Sequence, residues 1–356
     1  MTGKELLKNY NYPAERIEGL IKRYTQGILT PEDNIIKKDI DCPAEDSFNS
    51  LPQKETKEYK ELYDTGMSSI DRGELGVVML NGGMATRFGG TVKGVVEVFD
   101  GMSFLELKIR DSLRVSGNIQ FFIMNSFSTE EKTRMHMEEK KYFDSSDKIK
   151  MFNQYIAPRI TEDGKYFHAR DMKQSFYGPG HGDFPYCFRL SGRLKDFMNE
   201  GGKYIFFSNV DNLGARVDPA ILGFHIKSSG ELTAEVAQKS PGDQGGAPAI
   251  VDGKLQLVEG FSFPEDFDQS KISVFNCSTY WIDAESLNKE FELPWYVVKK
   301  EVEDEKIVQF EHIAGDMTIF LNTDFLKIPR EERFYPIKKP EDLEKNRDKL
   351  RKLLKY

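Results

Sequence analysis

The run Gly76-Val77-Val78-Met79-Leu80-Asn81, followed at once by glycine-rich sequence, limits the possible folds of this chain more than any other feature. A short apolar run without alternation, bounded by glycine, is the pattern of a strand buried on both faces. Ile119–Met124 and Lys203–Ser208 repeat it, and helical spacing lies between, as in the stretch opened by Ser103-Phe104-Leu105-Glu106-Leu107-Lys108. Strands alternating with helices predict an α/β fold with a mainly parallel sheet covered on both faces. Beyond 230, Leu232–Ala237 and Lys271–Phe275 read as strands, with turns such as Val251-Asp252-Gly253-Lys254. Pro340–Tyr356 reads as a charged amphipathic helix. Before residue 72, Leu6, Leu7, Tyr10 and Ile17, Leu20, Ile21, Tyr24 recur at helical spacing, Thr30-Pro31-Glu32-Asp33 offers a helix start, and Asp41-Cys42-Pro43 interrupts the pattern. The organisation expected is a helical N-terminal extension over 1–72 and one large α/β domain over 73–356, which 356 residues can build.

A net charge of −8 argues against general affinity for nucleic acid, whose phosphate backbone selects basic surfaces. It leaves nucleotide binding open, since that needs only a few local cations and backbone amides. With no membrane-length apolar stretch and no apolar core in the first residues, the chain is expected to be cytoplasmic and free of membrane partners. Cys42, Cys187 and Cys277 form no metal or disulfide pattern and are expected to be buried or incidental.

The loop Leu80–Gly94, LNGGMATRFGGTVKG, carries Gly82, Gly83, Gly89 and Gly90, which let backbone amides approach a phosphate or a base edge, and Arg87 and Lys93 as cations. It is neither a dinucleotide fingerprint nor a Walker loop, and as a pattern alone it reads equally well as a plain glycine-rich turn. Asp211 follows the strand 203–208, where ligands gather in open α/β sheets. A carboxylate there suits a metal ion or a helix N-cap equally. His181, between Gly180 and Gly182, is poorly placed for a core and better suited to a ligand. His136, His168, His225 and His312 have no metal-site spacing.

The loop resembles the nucleotide loop of UDP-sugar pyrophosphorylases, a glycine-rich stretch followed by Lys-Gly, with Ala85 here in place of the family's third glycine. The resemblance continues through Met124-Asn125-Ser126-Phe127, Phe152-Asn153-Gln154, Gly178-Pro179-Gly180-His181-Gly182-Asp183, Phe206–Asp218, Phe310–Gly315 and Pro329–Lys338. It spans roughly 76–345, in family order. It implies a Rossmann-like mixed sheet of the nucleotide-diphospho-sugar transferase type. It also implies a reaction in which a hexose 1-phosphate attacks the α-phosphorus of UTP and pyrophosphate leaves.

By resemblance, Gly82, Gly83, Thr86, Gln154, Gly180 and Gly182 would hold the nucleotide, and His181, Asn209, Asn276 and Glu311 the sugar phosphate. Lys93, Arg87 and Lys338 would act on the phosphates, and Asp211 would hold Mg²⁺. The attacking oxygen is already anionic, so positioning and charge neutralisation are needed and a general base is not. Glucose 1-phosphate is the first expectation for the sugar. The Thr86–Gly89 form of the loop leans to an N-acetylhexosamine, and a non-catalytic UDP-sugar-binding protein is the reading of another class. The family's sugar segment F-N-T-N-N-L-W appears as Phe275-Asn276-Cys277-Ser278-Thr279-Tyr280-Trp281. The shorter hydroxyl side chains of Ser278 and Thr279 predict modest discrimination between sugars. The β-helix domain used for assembly in eukaryotic members has no counterpart in the 356 residues, so a monomer or weak dimer is expected.

Overall fold

The computed structural model describes residues 3–85, 88–240, 243 and 245–356. Eight strands form the central sheet: β1 (Asn49–Ser50), β2 (Leu75–Leu80), β3 (Gln120–Asn125), β4 (Ile149–Asn153), β5 (Tyr204–Asn209), β6 (Leu232–Gln238), β7 (Val274–Asp283) and β8 (Thr323–Lys327). Their spatial order is β1-β8-β6-β7-β5-β2-β3-β4. All neighbours are parallel except β7, which runs antiparallel to both β5 and β6. The sheet is therefore the mixed, Rossmann-like α/β sheet that the sequence predicts. The apolar runs are buried as their lack of alternation requires: Val77, Val78, Phe121, Phe122, Phe206 and Phe207 are all at most 1% exposed.

One large apolar cluster lies on each face of the sheet. Helices α1 (Gly3–Asn9) and α2 (Ala14–Thr25) are followed by α3 (Lys57–Asp71), which packs on α7 (Pro219–Lys227). Their backbones approach so closely that a β-carbon on Gly66 would lie 1.9 Å from the Pro219 carbonyl oxygen, and one on Gly223 1.8 Å from that of Leu62. Between them lie α4 (Phe104–Val115), α5 (Glu130–Glu139) and α6 (Phe184–Leu190), and α8 (Pro340–Leu353) closes the chain. Ser103 caps α4 by accepting from the Glu106 amide. The second strand expected beyond 230 is longer than its sequence suggests, since β7 continues to Asp283 through a segment whose polar residues do not alternate. Parallel β2, β3 and β5 end on the same edge, and the loops after those ends build the site.

Candidate active site

A cleft of about 530 Å³ opens over the C-terminal ends of β2, β3, β4 and β5. Its walls include Gly82, Gly83, Lys93, Gln154, Gly180, His181, Asn209, Asp211, Asn276 and Lys338. Thr86 and Arg87 lie outside the described residues.

The floor is a buried amide network. Asn81 donates from Nδ2 to Asn125 Oδ1 at 2.8 Å and to Thr133 Oγ1 at 2.9 Å, while its Oδ1 accepts from the Gly94 amide at 3.0 Å. A β-carbon on Gly94 would lie 2.3 Å from that oxygen, which is why glycine follows Lys93. The network ties the far end of the glycine-rich loop to the strand before it. It sets Lys93, only 8% exposed, beside the rings of Phe88 and Phe104, with its ammonium 4.0 Å from Asp211. Gln154, just past β4, is wedged between two glycines: a β-carbon on Gly82 would lie 2.8 Å from Nε2, and one on Gly178 2.2 Å.

Asp211 sits in an irregular loop. The next helix, α7, starts eight residues later and is capped by Asp218, which accepts from the Ala220 amide, so the N-cap alternative for Asp211 falls away. Four hydrogen bonds, from Ile337, Tyr335 and Lys108, hold the Asp211 loop in place. The Ile337 amide donates to the Asp211 carbonyl at 3.1 Å, and the Tyr335 amide donates to Asn212 Oδ1 at 2.9 Å; together these lay the segment carrying Lys338 against the loop. Lys108, buried on α4, donates to the carbonyls of Asn212 and Ala215 at 2.8 and 2.9 Å. Arg333 anchors the other segment through a bidentate pair with Glu235 at 2.7 and 2.6 Å, to which Trp281 Nε1 also donates. Gly214 is required here, because a β-carbon would fall 2.5 Å from the Arg333 carbonyl carbon.

Burial pushes the Asp211 carboxyl above its ordinary range, and the cations of Lys93, Lys108 and Lys338 pull it back. Burial also pushes Lys108 down to about 7, against the pull of Asp211 and Asp111. At 4.0 Å, opposite charges attract by about 4 kcal/mol at an effective dielectric constant of about 20. That attraction offsets part of the cost of burying the Asp211 carboxylate.

His181 lies opposite. Its Nδ1 accepts from the Ala314 amide at 3.0 Å, so the neutral ring carries its proton on Nε2 and is a donor there. Burial lowers its pKa, which favours that neutral form.

Two residues that the sequence predicts for the site stand apart from the cleft. Gly182 is not on its wall: its amide donates to the His312 carbonyl at 3.0 Å, and a β-carbon would strike the Ile313 amide nitrogen at 2.4 Å. Its glycine is required by this close packing against 312–313. Glu311 is not on the wall either: its carboxylate is paired with Lys300 at 2.5 Å, although its charge still reaches His181 and opposes the effect of burial there. In the sugar segment, Ser278 reaches the cleft, whereas Thr279 is buried and donates to the Cys277 carbonyl at 3.3 Å. Cys277 is on the wall, with burial holding its thiol well above the usual range and so unreactive.

Sequence reasoning missed Glu259, Lys108 and Arg333. Glu259 is a carboxylate on the cleft wall, pushed up by burial. Lys108 left a trace in the sequence as a charge four residues after Phe104, on the face of α4 that buries Leu105 and Ile109. Glu259 and Arg333 left none.

A cleft beyond the strand ends of an open α/β sheet, with lysines and a carboxylate on its wall, is where such a fold gathers a phosphorylated ligand. The family described as UTP–glucose-1-phosphate uridylyltransferase matches residues 32–353, and the chain belongs to it. UTP–glucose-1-phosphate uridylyltransferase 2 of Dictyostelium discoideum is 33% identical over 324 residues, covering 84% of this chain and 63% of that relative. The crystal structure of UDP-glucose phosphorylase from Trypanosoma brucei superimposes with a TM-score of 0.79 at 26% identity, over 96% of this chain and 78% of that one. The uridine diphosphate N-acetylglucosamine pyrophosphorylase of Trypanosoma brucei shares the fold, with a TM-score of 0.76 at 19% identity over 87% of this chain and 72% of that one.

Proposed function

We propose that the chain transfers the uridylyl group of UTP to a hexose 1-phosphate, glucose 1-phosphate first among them, and releases pyrophosphate. The observation that carries this reading is the gathering of Lys93, Asp211 and Lys338 on one cleft, with a wedged amide at Gln154 toward one end and Asn276 with Glu259 toward the other. Such a cleft suits a base, a polyphosphate and a polyhydroxylated ring in a row. In the reaction a phosphate oxygen of the sugar 1-phosphate forms a bond to the α-phosphorus as the bond from that phosphorus to the β-phosphate oxygen breaks. No proton need move, so the protein's task is alignment and charge. Lys93 and Lys338 would neutralise phosphate oxygens, and the Nε2–H of His181 would donate to one. The Gln154 amide can donate and accept at once, as a uracil edge requires.

Asp211 suits Mg²⁺, which takes one or two carboxylates and completes its shell with water and substrate phosphates. Among the described residues no group of three or more His, Cys, Asp or Glu side chains is placed to hold a metal ion by itself, so substrate phosphates and water would have to complete the shell. The ion would supply charge stabilisation to the phosphates.

Pyrophosphate release with UTP and a panel of sugar phosphates tests the reading. Turnover with glucose 1-phosphate above that with N-acetylglucosamine 1-phosphate is expected. Turnover with the N-acetylated sugar alone would replace the sugar assignment, and no turnover with any sugar would reject the transfer itself.

A further inference from the structure

The sugar end of the cleft is shaped by a defect in β7. Asn276 pairs with Val236 of β6 and Tyr280 with Ala234, so β7 advances four residues while its partner advances two. Four residues of regular strand span about 13 Å, and two about 7 Å. The bulge therefore brings two side chains that would lie far apart into neighbouring positions on one face. Ser278, at its crest, takes the left-handed conformation, with φ of 51°.

As a result the Tyr280 hydroxyl meets the Asn276 amide, 2.8 Å from Nδ2 and 3.2 Å from Oδ1. The Ser278 backbone amide donates to the same Oδ1 at 2.9 Å. Oδ1 thus accepts from both the Ser278 amide and the Tyr280 hydroxyl, which uses its two lone pairs, whereas Nδ2 keeps a second proton to give. Glu259, also on the cleft wall, flanks Gly246, whose carbonyl accepts from the Asn276 backbone amide at 2.9 Å. One side chain donates and the other accepts, which suits a pair of sugar hydroxyls. Tyr280 is 1% exposed with its ring tilted on Phe207 at 5.7 Å, so it does not touch the substrate space itself.

We propose that Tyr280 is a positioning residue for sugar recognition: its hydroxyl, reaching across the bulge, holds Asn276 as a fixed donor at the sugar end. The inference rests on the uridylyl-transfer reading above, and the experiment separates the two. Wild-type protein, Tyr280→Phe, Tyr280→Leu, Asn276→Ala and Tyr280→Phe with Asn276→Ala are compared for KM and kcat, with thermal melts. Removing the hydroxyl is expected to raise KM for glucose 1-phosphate roughly 3- to 10-fold, the scale of one neutral hydrogen bond, with KM for UTP unchanged. Phe and Leu should raise it equally although Leu costs more stability, and the effect should vanish in the Asn276→Ala background. An unchanged KM in Tyr280→Phe, a KM that tracks the melting temperature from Phe to Leu, or a full effect without Asn276 would each overturn the role of Tyr280. Inactive wild-type protein would overturn the transfer reading instead.

Discussion

The two ends of the cleft are built by different means. At the phosphate end, Asp211 and Lys338 are fixed by hydrogen bonds between two loops, by the buried Lys108 ammonium and by the Arg333–Glu235 pair, so four separate parts of the chain agree on where the charges stand. At the sugar end, Asn276 owes its orientation to one strand, its bulge and one hydroxyl. Charge chemistry tolerates little error in position, which explains the redundancy. A donor that selects among sugars can be re-aimed by a single substitution while the fold and the phosphate chemistry stay intact.

The largest effect should come from Asp211→Asn. If the carboxylate serves the phosphates, its loss should lower kcat about 100- to 1,000-fold, corresponding to roughly 3–4 kcal/mol of transition-state stabilisation, with the fold retained. Turnover measured against Mg²⁺ concentration should show partial recovery at high Mg²⁺. Near wild-type turnover at low Mg²⁺ would remove Asp211 from the mechanism. Lys93→Ala should follow, at about 10- to 100-fold, raising KM for UTP as well as lowering kcat, and Mg²⁺ should not restore it.

Lys108→Met probes the loop without touching the cleft. Methionine fills the buried site but gives up both carbonyl contacts, so kcat should fall about 10-fold while stability holds or rises, because an unfavourable buried charge is removed. The pH dependence gives a second readout. Lys108 is held near 7 in the folded chain against about 10.4 when unfolded, so between those values the unfolded chain binds a proton the folded chain lacks. This contribution to stability is fully present above about 10.4 and is lost as pH falls to 7. Melts of Lys108→Met should be flatter than wild type over that window, and identical slopes would contradict the assignment.

The smallest effect is expected at Glu311→Gln. Its carboxylate pairs with the half-exposed Lys300 and is not on the cleft wall, so activity should change less than about twofold. A larger loss would return Glu311 to the site.

Much of this architecture is legible in the sequence where a local pattern causes it. β2, β3 and β5 announce themselves as unbroken apolar runs, and the loops after them follow from strand ends. Gly180 and Gly182 are legible as glycines but not in their purpose, since the backbone that requires them, at 312–313, lies some 130 residues away. The same kind of distance hides Arg333 from Glu235, and two carbonyls of a remote loop hide the role of Lys108. The bulge is invisible because nothing in Cys277-Ser278-Thr279 marks a register shift against β6. For that reason Thr279, which its place in the sugar segment puts in the cleft, is instead buried beside it.

The central claim is that one cleft transfers a uridylyl group between two bound polyanions, and isotopic labelling of UTP tests it most directly. With glucose 1-phosphate and Mg²⁺, label at the α-phosphorus should pass into UDP-glucose while label at the γ-phosphorus appears in pyrophosphate, in equal amounts and on the same time course. A protein that binds UDP-glucose yet moves neither label, or that releases γ-label as free phosphate, would contradict it.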